Sequence, residues 1–147
     1  MKSLLYGIGN SLRGDDGVGE FFLKNCQLPV DKYFQFQLNI EDAELFSKYD
    51  QVIVVDAVKN LSTPFVFEKL KPIYDNSFTT HSLRPQSVLA LTKELYGKSP
   101  DLYLLGIFAD QFEMNQEIGA NSKEGIAQAQ LFLTNWFNQD LQEHYHN

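Results

Sequence analysis

Cysteine is nearly missing from this chain of 147 residues: Cys26 stands alone, so no internal disulfide can form and packing must hold the fold. A lone thiol suits a reducing compartment, and the expectation is a cytoplasmic protein. Long apolar runs are missing too. No stretch approaches a membrane span, and the opening "MKSLLYGIGNS" has too little apolar length for a signal peptide. Positive charge is scarce: Lys and Arg number 12 against 19 Asp and Glu, a formal net charge of −7. Only Arg13 and Arg84 are arginines. Nucleic-acid binding depends on clustered basic residues, so neither nucleic acid nor a membrane is an expected partner. Two common signatures are also missing, the G-x-S-x-G of a nucleophile elbow and the G-K-[ST] ending of a P-loop.

What remains is ordinary for a globular protein, with 44% hydrophobic and 21% charged residues. The length fits one domain, residues 1–147. Short apolar runs predict strands over 3–9, 33–38, 51–58, 65–70 and 101–109. "QVIVVDAV" and "DLYLLGIFA" are apolar almost throughout, the pattern of strands buried on both faces of a parallel sheet. "FVFEKL" alternates instead, as an edge strand does. Helical spacing predicts helices over 17–27 and 40–50. A third runs over 85–97, opened by Pro85 and closed by Gly97, and the last starts near Asn121 or Ser122 as N-cap. The alternation implies an α/β three-layer sandwich, with a twisted, mostly parallel five-stranded sheet between helices.

Chemistry concentrates in "GIGNSLRGDDGVG", residues 7–19. Gly7 and Gly9 begin a dinucleotide fingerprint, but Leu12 stands where its third glycine belongs, and Asp15 and Asp16 fill the stretch phosphates would occupy. A second carboxylate, Asp56, ends the buried run "VIVVDA"; it either satisfies backbone N–H groups there or faces a ligand. If strands 1 and 3 are neighbours, Asp16 and Asp56 meet at the switch-point crevice, where two carboxylates repel unless a proton or cation lies between them. His81, in "TTHSLRP", reaches the same edge if strand 4 leads into the helix opened by Pro85. Two carboxylates and one imidazole suit a divalent transition metal and leave positions open for reaction. Cys26 reads as a core residue, Ser11 and Ser82 lack nucleophile context, and Glu20 reads as a solvated helix charge. His144 and His146 sit in a fraying tail. Arg13 and Arg84 either stand there without consequence or pair with a carboxylate or backbone carbonyl of a substrate.

These residues resemble the hydrogenase maturation proteases. The family pattern G-x-G-N-x-L-x-x-D-[DE]-G-x-G is met at every fixed position from Gly7 to Gly19, with "VIVVDAV" and "THSL" at fitting places. The resemblance implies an endopeptidase that removes the C-terminal extension from the precursor of a nickel–iron hydrogenase large subunit. It assigns the metal contacts and catalysis to Asp16, Asp56 and His81. The nickel would be carried by the precursor, with other divalent cations substituting in vitro. Gly9, Asn10, Arg13 and Arg84 would meet the substrate, the glycines letting the loop's backbone approach an extended precursor tail. Two other readings stand beside this one: a chaperone that holds the metal or the precursor without cutting, and a small-molecule enzyme using the same crevice.

Overall fold

The computed structural model describes residues 1–74 and 83–146, with side chains described through residue 139. Strands β1 (Ser3–Ile8), β2 (Asp31–Gln35), β3 (Gln51–Lys59), β4 (Phe65–Leu70) and β5 (Asp101–Ala109) form one sheet in the order β2-β1-β3-β5-β4. β1 pairs in parallel with β2 and β3, and β3 in parallel with β5. β4 runs antiparallel along the outer side of β5. Residues 60–64 are too few for the crossover that a parallel strand needs, so the chain turns back at the edge where β3 ended. β4 is therefore the half-exposed edge strand its alternation implied.

Helices α1 (Val18–Lys24) and α4 (Ala120–His146) cover one face of the sheet, and α2 (Asp42–Ser47) and α3 (Pro85–Tyr96) cover the other. Successive strand side chains alternate between faces, which divides the apolar strands between two cores. Leu5, Ile53 and Leu105 pack against Phe22, Leu133 and Phe137, whereas Leu4, Tyr6 and Val54 pack against Phe46 and Val88. Leu133 is fully buried at the centre of the first core. Leu133→Ala is expected to lower the unfolding free energy by about 3 kcal/mol, read from denaturant unfolding; a loss below about 1 kcal/mol would mean α4 docks loosely.

Several boundaries differ from the sequence-based expectation. β2 begins at Asp31 and stops at Gln35, because its pairing partner β1 ends at Ile8, opposite Gln35. α1 stops at Lys24, so Cys26 follows the helix; it packs half-buried against the first core, as a core residue would. α3 matches its punctuation: Arg84 is its extended N-cap, Pro85 opens the first turn, and Gly97 ends it at φ 73°. α4 begins before the expected caps, since Lys123 N–H already bonds to Gly119 C=O and Ser122 lies buried inside the first turn. Among the described residues no helix is long and apolar enough to cross a membrane.

Candidate functional site

The sheet order places the chain on opposite sides as it leaves β1 and β3, so a crevice opens between their carboxyl ends. β1 stops pairing with β3 at Gly7 opposite Val55, while β3 continues beside β5 to Lys59. Asp56 is the first β3 residue past that point, with one flank free of β1. Its Oδ1 accepts the N–H of Ala57 at 2.8 Å. Burial pushes its carboxyl up to about 6; the Ala57 N–H opposes this and the nearby Asp16 charge adds to it. Asp16 and Asp56 thus share the crevice, as the topology implied. Asp56 also serves its neighbour's N–H, as its structural reading implied.

The loop after β1 explains where Asp16 sits. Gly9 has φ 138°, a backbone conformation open to glycine, and its N–H bonds to Gln35 C=O at 3.1 Å. A Cβ at Gly9 would collide with the Asp16 carbonyl oxygen. Asn10 donates its N–H to Asp16 Oδ2 at 2.8 Å, while its own Oδ1 accepts the Leu12 N–H at 3.0 Å. Residues Gly14–Gly17 then form a 3₁₀ turn that leads directly into α1. Gly19, in the first turn of α1, lies so close to the strand ends that a Cβ would come within 2.8 Å of Val55 O. Gly9 and Gly19 thus allow close approaches within the protein that a side chain would block.

The two adjacent aspartates divide their work. Asp16 is partly exposed toward the crevice, whereas Asp15 is fully buried beneath it. Asp15 Oδ2 accepts N–H groups from Asp110 and Gln111, each at 2.9 Å, and its Oδ1 accepts that of Gly119 at 2.8 Å. Burial alone would raise its carboxyl, but the donors of Gly119, Asp110, Ser122 and Gln111 together bring it below the ordinary value. The Ser122 hydroxyl lies beyond strict hydrogen-bond geometry, so its part is that of a nearby dipole. No sequence pattern gave Asp15 a role apart from Asp16 or tied it to residues 110–119. The available signal was the acid pair itself, since consecutive residues of a tight turn cannot face the same way.

The other expected residues are placed as follows. His81 and Ser82 lie outside the described residues. β4 ends at Leu70, beside Leu102 at the amino edge of β5, and Ile73 N–H bonds to Gln86 C=O at the start of α3. Arg13 is exposed at the loop's outer side, where it bridges to Gln116 through the backbone. Arg84 is exposed at the N-cap of α3. Glu20 forms an ion pair with Lys24 at 3.0 Å on the helix surface, which holds its carboxyl low, so it reads as a helix charge. The side chains of His144 and His146 lie outside those described.

A crevice with two mutually repelling carboxylates, one of them raised to about 6 by burial, gains from a cation that lies between them. Asp16 and Asp56 carry hard oxygen donors, a type that suits divalent ions, and an imidazole would widen the choice to transition metals. Among the described residues no three His, Cys, Asp or Glu side chains are grouped as a metal site.

A doubly wound α/β sheet with paired carboxylates at its switch point defines a class, and the chain has the fold of the hydrogenase maturation proteases. It is similar to a [NiFe] hydrogenase maturation protease HycI from Thermococcus kodakarensis KOD1, at 23% identity and TM-score 0.66 over 90% of this chain and 89% of that one. It is also similar to the hydrogenase maturating endopeptidase HybD from E. coli, at 18% identity and TM-score 0.67 over 95% and 94% of the two chains. The endopeptidase HycI from Escherichia coli matches at 20% identity and TM-score 0.69, over 92% of this chain and 91% of that one. No protein-family model and no curated relative matches the sequence.

Proposed function

We propose that this protein is an endopeptidase that removes the C-terminal extension from the nickel-loaded precursor of a nickel–iron hydrogenase large subunit. The observation that carries the reading is the meeting of Asp16 and Asp56 at the β1/β3 crevice of a maturation-protease fold. Asp16, Asp56 and His81 contact the nickel, and Gly9, Asn10, Arg13 and Arg84 meet the peptide around it. The nickel arrives with the substrate. A pocket of repelling carboxylates binds an unloaded tail poorly and a cation-bearing one well, so cleavage follows metal loading. A bound cation can polarise the scissile carbonyl or lower the pKa of an attacking water. The single thiol of Cys26 suits a cytoplasmic site of action.

Asp16→Asn and His81→Ala are each expected to abolish clipping while the far-ultraviolet circular dichroism stays that of the wild type. The measurement is mass spectrometry of nickel-loaded and nickel-free precursor after incubation with each variant. Unchanged processing by both variants would sink the assignment. A wild-type protein that binds the precursor and leaves its tail attached would make it a chaperone instead.

A further inference from the structure

We infer that Asp15 is a positioning residue: its buried carboxylate ties the turn that carries Asp16 to the segment 110–119 and the start of α4, so these parts hold the crevice carboxylate in place as one unit. Gly119 is the N-cap of α4, because its C=O accepts the Lys123 N–H at 3.0 Å. Its N–H goes to Asp15 Oδ1 at 2.8 Å. Asp15 therefore caps a helix from a distant part of the chain, where the helix dipole favours a negative group. The other oxygen clamps the N–H groups of Asp110 and Gln111, just past the end of β5, and the Asp15 N–H returns a bond to Gln111 C=O at 2.6 Å.

A second line of contact joins the same two segments. Asn115 N–H bonds to Leu12 C=O at 2.7 Å, and Arg13 and Gln116 form an isolated parallel bridge. Gly14 packs so tightly that a Cβ there would approach Gln111 O at 2.5 Å. The 3₁₀ turn cannot shift without dragging residues 110–119 with it. Asp16 is the next residue of that turn, and its Oδ2 is fixed by the Asn10 N–H. Asn at position 15 keeps the shape but turns one acceptor oxygen into a donor facing N–H groups, which must move away. Displacement of the turn then loosens the bond between Asn10 and Asp16.

Amide hydrogen exchange reads that bond directly. In Asp15→Asn the Asn10 amide is expected to exchange about tenfold faster relative to core amides such as Val54. Leu133→Ala, which weakens the first core without touching the loop, serves as the control and should shift Asn10 and Val54 together. Gly119→Pro removes the N–H given to Asp15 Oδ1, its added Cβ meeting the flexible end of the Gln111 side chain at 3.1 Å, and is expected to act in the same direction as Asp15→Asn and more weakly. It decides the matter if Asp15→Asn does not fold. An Asn10 amide that moves in step with the core in both loop variants would overturn the positioning role.

The catalytic arm rests on the proposed function. Clipping of nickel-loaded precursor should slow about tenfold in kcat for Asp15→Asn, at temperatures where it and Leu133→Ala are both folded, and remain near wild type for the control. Equal slowing in the two would reduce Asp15 to a general stabiliser. If the wild-type protein clips nothing, the proposed function fails, while the exchange measurement still judges Asp15.

Discussion

Asp56→Asn is expected to abolish clipping and, at the same time, to stabilise the folded protein above pH 7. The first effect follows from its place opposite Asp16 in the crevice. The second follows from the direction in which its carboxyl is displaced, from the ordinary 3.8 up to about 6 by burial and by the Asp16 charge. A folded-state value above the unfolded one means the native state binds more protons between these limits. Stability is therefore greatest below about pH 4 and falls as pH rises through 6, to a plateau above 7. The full displacement corresponds to about 3 kcal/mol. Asp56 keeps some contact with water, which screens the effect, so a gain of about 1–2 kcal/mol is expected. Asparagine carries no charge to bury and its Oδ1 can still accept the Ala57 N–H. Urea unfolding of both proteins at pH 4 and pH 7.5 checks this: the two should agree at pH 4 and separate at pH 7.5. A variant less stable than wild type at pH 7.5 would contradict the electrostatic account of the crevice. A loss of function coupled to a gain of stability is what a carboxylate held for binding, at a cost to folding, should give.

Gly9→Ala should be among the most damaging single-methyl changes in the molecule. Two penalties fall together there. The backbone at φ 138° is strained for any residue with a Cβ, and the added methyl meets the Asp16 carbonyl oxygen, which belongs to backbone and cannot turn aside. Strain and overpacking each cost about 1–3 kcal/mol, so a combined loss of about 3–5 kcal/mol is expected from denaturant unfolding. If the protein instead accommodates alanine with a loss under about 1 kcal/mol, the loop must have another low-energy path. Gly97, also at positive φ but with open space where its Cβ would stand, offers the comparison: alanine there meets only the backbone penalty.

Much of this architecture was legible in the chain because its signals are local. "QVIVVDAV" and "DLYLLGIFA" are buried on both faces, and they became β3 and β5, flanked by strands on both sides. Pro85 and Gly97 punctuated α3 because the missing N–H of one and the left-handed backbone of the other act within a single turn. β2 was expected to start two residues late and to end three residues late, because "YFQFQL" alternates well beyond its true end. Pairing with β1, not its own pattern, stopped it at Gln35. The start of α4 was misplaced for a related reason. Asn121 and Ser122 are good local caps, but the cap in use is Asp15, more than a hundred residues earlier in the chain.

The candidate site divides along the same line. Asp16 and Asp56 could be named from sequence, since an acid at the end of a buried strand and another in a glycine-rich loop stand out by composition. By itself the sequence determined the alternation of strands and helices and the lack of an internal disulfide, and it singled out the side chains proposed to carry chemistry. Only the tertiary structure decided that Asp15 turns inward while Asp16 faces the crevice, and that the glycines serve contacts within the protein. It also decided that β4 runs antiparallel to its one neighbour, β5. The physical reason is that hydrophobic period and turn chemistry act over a few residues, where sequence records them. The partner of a buried carboxylate or an edge strand is chosen by distant segments brought together only when the sheet closes.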